Sequence, residues 1–236
     1  MAMQARDATD EEGAPCVSIV VPVGPGDAAW RGLLPRLAAL DTGYEVLLAG
    51  TAPPATDDAS LSGGARWLSC PSGRARQQNA GAAAARAPLL WFLHCDSRPD
   101  QRVLRSVARL PRDFDALGWF PLRFHDGTAL HRLNAVGANL RSRICALPFG
   151  DQGLLLPAAR FRALGGFDES LARGEDLDLV LRARRNGLWL CRLDGTLSTS
   201  ARRYREHGWW RTTREHLRLT RSLRAEALAR LDGVRR

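Results

Sequence analysis

Leu89-Leu90-Trp91-Phe92-Leu93-His94-Cys95-Asp96 is the stretch from which the fold follows. Five bulky apolar residues run without a polar break, with Pro88 before them and Asp96-Ser97-Arg98-Pro99 after. A short apolar run between breakers predicts a strand buried on both faces. Ligands of open α/β sheets sit beyond the carboxyl ends of the strands, which is where Asp96 falls. Two roles are open to it on this stretch alone: a ligand, or the cap of a helix beginning near Pro99.

Outward from this strand the chain alternates. Val17 to Val23 and Tyr44 to Ala49 read as buried strands and Ala65 to Ser69 as a short one. Trp30 to Leu40 reads as a helix, with Trp30, Leu33, Leu34 and Leu37 on one face. The Ala-rich Gly73 to Arg86 reads as another. Strand, helix, strand, strand, helix, strand is the order of an α/β domain with a mostly parallel central sheet flanked by helices. Past Asp96 the pattern predicts a helix over 99–110, a strand over 117–124 and a long helix over 130–147. A strand over 152–156, a helix over 175–186 closed by Gly187 and strands over 188–193 and 196–200 complete it.

The 236 residues suffice for one sizeable core, over 16–205. Net charge is +9, all basic residues are Arg, and the excess gathers from Arg182 onward. That balance favours anionic partners such as phosphates or acidic lipid. No stretch interleaves basic and aromatic residues as a nucleic-acid reader does, so nucleic acid is not an expected partner. The five cysteines are scattered and form no C-x-x-C pair. That pattern reads as reduced thiols of a cytoplasmic protein, not a disulfide framework or a zinc site. Residues 1–15 are polar, lack the apolar core of a secretory signal and read as disordered. No apolar run approaches the roughly 18 residues needed to span a bilayer. The tail, 206–236, reads as a basic amphipathic helix, with Trp209, Trp210, Leu217, Leu223, Leu228 and Leu231 on one side. It either packs on the domain, the simpler reading, or rests peripherally on an anionic membrane.

Gly24-Pro25-Gly26-Asp27-Ala28-Ala29 fits the dinucleotide pattern G-x-G-x-x-A. The acid that should end the second strand is missing, because that strand ends Ala49-Gly50-Thr51. A nicotinamide oxidoreductase is therefore a minor reading. Three acidic sites stand at punctuated positions: Asp96, Asp151, and Glu175-Asp176 opening a helix. Together they suggest a divalent-metal and base site at one sheet edge, since a hard cation takes carboxylate oxygens and leaves positions for a diphosphate. Arg74, Arg76, Arg202 and Arg203 would meet the phosphate charge with forked donors.

Motifs in family order carry a resemblance. They are Ser18-Ile19-Val20-Val21-Pro22, Gly73 to Gly81, Phe92-Leu93-His94-Cys95-Asp96-Ser97, Phe149-Gly150-Asp151-Gln152-Gly153, Gly165-Gly166-Phe167-Asp168-Glu169, Gly174 to Leu179 and Thr199 to Tyr204. The chain resembles family 2 glycosyltransferases of the GT-A fold, and more narrowly the radical-SAM/selenodomain-associated transferase branch. The resemblance implies an inverting transferase that moves a sugar from a nucleotide-sugar donor to the hydroxyl of an acceptor not identified by it. Asp96 would hold Mg²⁺ or Mn²⁺ on the diphosphate, Asp176 would be the general base, and Glu175 would position it. Asp151 and Gln152 would contact acceptor or donor sugar. Arg76 and Asn79 would contact the nucleotide, and Arg202 with Arg203 the diphosphate.

The chain departs from the family at the end of the second strand, where an Asp that reads the base is replaced by Ala49. Losing that acceptor removes about 2 kcal/mol of recognition. The departure motivates an alternative, a homologue that binds without catalysing.

Overall fold

The computed structural model describes residues 14–54, 61, 64–202 and 214. The N-terminal segment to residue 13, the tail beyond Arg202 except residue 214, and Arg203 lie outside the described residues.

Seven strands form the main sheet: β1 (Val17–Pro22), β2 (Tyr44–Gly50), β3 (Ala65–Ser69), β4 (Leu89–Phe92), β6 (Ala116–Trp119), β8 (Leu155–Pro157) and β9 (Trp189–Arg192), in the order β3-β2-β1-β4-β8-β6-β9. Pairings β1·β2, β2·β3, β1·β4 and β6·β9 are parallel, and β8 runs antiparallel to both its neighbours. A small sheet of β5 (Arg98–Pro99), β10 (Leu197–Thr199) and β7 (Leu122–Phe124) stands beside it.

Alternation along each buried strand splits the core into two layers. Val17, Ile19 and Val21 of β1, with Trp91 of β4, face α1 (Trp30–Leu37) and α3 (Gln101–Ala108). Val20 of β1, with Leu90 and Phe92 of β4, faces α2 (Arg74–Ala84), α5 (Ala158–Ala163) and α6 (Glu175–Arg185). Phe92, Phe161 and Phe167 stack with centroids 5.0 to 5.3 Å apart, tying α5 and the loop before α6 to the central strand. This three-layer arrangement is why the strands read as unbroken apolar runs.

Several expected elements differ. The strand expected over 117–124 is two, β6 and β7, in different sheets, with Pro121 between them. Pro lacks the N–H that a continuing ladder needs. The helix expected from Pro99 begins at Gln101, capped by Asp100, whose Oδ1 accepts from the backbone N–H groups of Arg102 and Val103. Asp96 is thus no cap of α3. The strand expected from Gln152 begins at Leu155, after a 3₁₀ turn over Gly150–Gln152. Helix α1 stops at Leu37, short of Leu40: Ala39 and Leu40 donate to Arg36 and Leu37 in tight i→i+3 bonds. Helix α5 is an element the apolar pattern did not anticipate.

The long helix α4 (Ala129–Cys145) ends on Ala146 in the left-handed region, at φ 51°. A Cβ there costs about 1 kcal/mol. Ala146→Gly is expected to raise stability by about 0.5–1 kcal/mol, read as a higher Tm with unchanged circular dichroism.

Candidate active site

The carboxyl ends of β1, β3 and β4 lead into the segments that carry Asp27, Arg74 and Asp96. The α6 N-terminus arrives at the same edge, bringing Glu175, Asp176 and Asp178 into its first turn, where the helix dipole favours carboxylates. Asp178 is taken by Arg182, at 2.7 Å, which also donates to the Leu164 and Gly166 carbonyls. It therefore holds the preceding loop.

Asp176 points the other way. Its Oδ2 accepts from the Gly150 N–H at 2.6 Å. A Cβ placed on Gly150 would lie 2.7 Å from Arg74 Nη2, 3.0 Å from Asp176 Oδ2 and 3.2 Å from His94 Nε2. Three polar side chains, from the loop after β4, from α2 and from α6, therefore crowd one point, and Gly150 is small because they do. The Arg74 guanidinium touches His94 Nε2, and its Nε forms a 3.1 Å ion pair with Glu175. Burial first, then the charge of Asp176, raise the pKa of Glu175 above its ordinary value, against the pull of Arg74.

Asp151 lies in the turn beside this cluster. Its Oδ1 is enclosed and has no hydrogen-bond partner. Burial pushes its carboxyl up; Arg141 and Arg74 oppose this, while Asp176 and Asp96 add to it. A carboxylate held unsatisfied among other carboxylates costs stability. Asp151→Asn is expected to stabilise the fold at neutral pH by on the order of 1 kcal/mol. A group with a raised native pKa contributes stability at low pH and loses it as pH rises through that pKa. The gain in Tm should therefore shrink as the solution is acidified, and melting curves across pH check it.

Asp96 follows β4, half-buried, and its Oδ1 accepts from Thr199 Oγ1 of β10 at 3.2 Å. Asp27, which sequence reasoning did not single out, stands nearby. Its carboxylate accepts from Ala29 N, Arg202 Nη2 and the Cys95 thiol. Burial alone would raise its pKa; those three donors outweigh it and hold the group below its ordinary value. Burial, then Asp27 and Asp96, push Cys95 up to about 12, so it remains a thiol donor. Because Asp27 occupies the N-terminal approach to α1, a dinucleotide pyrophosphate there would meet a fixed negative charge. That opposes the nicotinamide reading of the Gly24 loop.

Other expected ligands are engaged in the fold. Gln152 is fully enclosed: Ser142 Oγ and Phe149 N donate to its Oε1 at 2.5 and 3.2 Å, and its Nε2 donates to the Phe120 carbonyl. It braces the turn that carries Asp151 and does not face solvent. Asn79 clamps α2 to the Phe167 loop through Phe167 N, Phe167 O and Glu169. Arg76 is exposed, with Glu169 3.7 Å away. Arg202 is exposed and tied to Asp27. At the end of β2, Ala49 is fully enclosed and the Trp67 ring lies over Gly50, with Cη2 2.8 Å from where a Cβ would be. An acidic side chain at this strand end has no room in the present packing. A separate cavity of about 560 Å³, lined by Arg102, Arg105, Ser106, Arg109, Leu110 and Asp194, shares no residue with the site.

The donors fit a hard cation. Asp96 and the orphaned Oδ1 of Asp151 offer oxygen donors at one edge, near enough that the charge of Asp96 acts on Asp151. Among the described residues no group of three metal-ligating side chains stands together. The set therefore suits an ion that completes its shell with phosphate and water, as Mg²⁺ and Mn²⁺ do.

No protein-family model and no curated protein matches the sequence. Solved structures do. The mannosyltransferase PcManGT from Pyrobaculum calidifontis, in complex with GDP-Man and Mn²⁺, superposes with TM-score 0.60 at 14% identity, over 79% of this chain and 57% of that one. S. aureus TarS 1–349 superposes with TM-score 0.55 at 17% identity, over 78% and 58%. Its complex with UDP-GlcNAc gives 0.56 at 16%, over 78% and 56%. The chain thus spans under three-fifths of the length of these structures. What they share at these identities is the fold, and the chain has the GT-A glycosyltransferase architecture.

Proposed function

We propose that the chain is an inverting, metal-dependent glycosyltransferase acting on a nucleotide-sugar donor, of family 2 and of its radical-SAM-associated branch. The observation that carries the proposal is the convergence of Asp176, His94 and Arg74 beside Gly150, next in the chain to the unsatisfied Asp151. The GDP-Man and UDP-GlcNAc complexes of proteins with this fold support the donor class.

In this reading the Asp176 carboxylate takes the proton of the acceptor hydroxyl as its oxygen attacks the anomeric carbon. The bond from that carbon to the diphosphate breaks, and its electron pair leaves with the phosphate oxygen. Attack from the face opposite the leaving group inverts the configuration. The Gly150 N–H fixes one oxygen of the base, and the Glu175–Arg74 pair fixes the guanidinium beside it. Arg74 and Arg202, with Arg203, meet the charge of the diphosphate. Mg²⁺ or Mn²⁺, held by Asp96 and Asp151, would supply further positive charge to the leaving group.

The enclosed strand end at Ala49 and the ring over Gly50 favour a second reading, a binding protein without turnover. A panel of sugar nucleotides with Mn²⁺ distinguishes the two. A nucleoside diphosphate bound at about 100 times Kd adds about 2.7 kcal/mol of stability, a Tm rise of roughly 5–10 °C. Release of nucleoside diphosphate with formation of an inverted glycoside is the expected result. Ligand-dependent stabilisation without product from any donor would favour the second reading, and neither effect would overturn both.

A further inference from the structure

Helix α4 carries an apolar face that no part of the described chain covers. Leu130, Leu133, Val136, Leu140 and Ile144 are between 47% and 71% exposed. At about 100° per residue, Leu133, Leu140 and Ile144 lie in line, with Leu130 and Val136 to either side. Arg132 and Arg143, both exposed, follow one edge of the stripe, and the helix contains no Asp or Glu. The opposite face holds His131, Ala135 and Ser142 in the protein. An apolar stripe edged by arginine on a helix too short to cross a membrane has the design of an element that lies in a bilayer surface.

We infer that α4 docks the protein on an anionic lipid surface. Charge complementarity selects this occupant. The chain beyond residue 205 carries more arginine than acid, so seating it on α4 would bring arginine against arginine. A second copy packed α4 to α4 has the same conflict. Acidic headgroups satisfy the arginines while acyl chains take the leucines. Ser142 ties α4 to Gln152, so the turn carrying Asp151 hangs from the face opposite the lipid. On the transferase reading proposed above, the docked site would meet an acceptor hydroxyl borne at the bilayer surface.

Flotation of the full chain with vesicles tests this without any sugar donor, so its failure leaves the transferase reading standing. The protein should float with phosphatidylglycerol-rich vesicles and not with phosphatidylcholine alone. The triple variant Leu133→Ser, Leu140→Ser, Ile144→Ser should lose at least about tenfold of the bound fraction with Tm unchanged. Arg132→Glu with Arg143→Glu should abolish the preference for anionic lipid. The inference is overturned if the wild type stays with the aqueous phase, or if the triple variant floats as the wild type does. It is overturned also if the triple variant melts several degrees lower, since the chain itself then covers this face. A wild-type dimer that the triple variant disperses in sedimentation would assign the face to a second copy and equally overturn it.

Discussion

Asp176→Asn is expected to slow sugar transfer by about 10²–10⁴-fold, the range lost with a positioned general base. The substitution preserves shape but not proton affinity. Asp176 accepts two backbone N–H groups, from Gly150 at 2.6 Å and from Leu177 at 2.8 Å. An amide offers one oxygen, so one of these contacts is lost, at about 1 kcal/mol and 2–4 °C of Tm. Donor binding should be almost untouched, because the proposed donor contacts lie on Asp96, Arg74 and Arg202. A fall in kcat with unchanged stabilisation by nucleoside diphosphate is the expected pair of results. A variant that transfers at the wild-type rate would remove Asp176 from the base role, whatever its packing.

Strands β1 to β4 were legible almost to the residue, because a sheet covered on both faces writes itself as apolar runs between breakers. The gathering of acidic sites at one edge was legible too, since each sits where a strand ends or a helix begins. What stayed hidden depends on contacts between distant positions. Asp27 reaches the site from a loop and is held there by Arg202, 175 positions away. Neither residue's neighbours in sequence hint at the other. Asn79 and Gln152 looked like ligands by motif, yet their amides pair with Phe167, 88 positions on, and Phe120, 32 positions back. Motif position conveys that a polar side chain is needed; only the fold decides whether ligand or backbone uses it. Helix α5 escaped notice because six residues hold too few turns to display a helical period.

Glu45→Ala is expected to cost about 2–4 kcal/mol, roughly 5–10 °C of Tm, although the residue lies at the opposite end of the sheet from the site. Glu45 is 3% exposed. Its Oε1 accepts from Ser18 Oγ and Arg86 N, both at 2.7 Å, and its Oε2 stands 3.1 Å from Arg86 Nε and 3.4 Å from Arg66 Nη2. The two guanidinium groups are 65% and 46% exposed, so water takes them over when the carboxylate goes. The cost arises from the Arg86 N–H and the Ser18 hydroxyl, which lose their acceptor in a water-poor strand end. Glu45→Gln keeps one oxygen for them and should cost about half as much. Burial alone would raise the pKa of Glu45, but Ser18 and Arg86 outweigh it and hold it below its ordinary value. A depressed carboxyl stabilises above its unfolded pKa and ceases to as pH falls through the native one, so Glu45→Gln should flatten the acid limb of the stability curve. Asp151 and Glu175 have the opposite sign, losing stability as pH rises. One end of the sheet spends its buried carboxylate on holding the fold. The other keeps Asp151 and Glu175 raised and leaves an Asp151 oxygen unpartnered, at a cost in stability that a proton-handling or cation-binding site explains and a purely structural role does not.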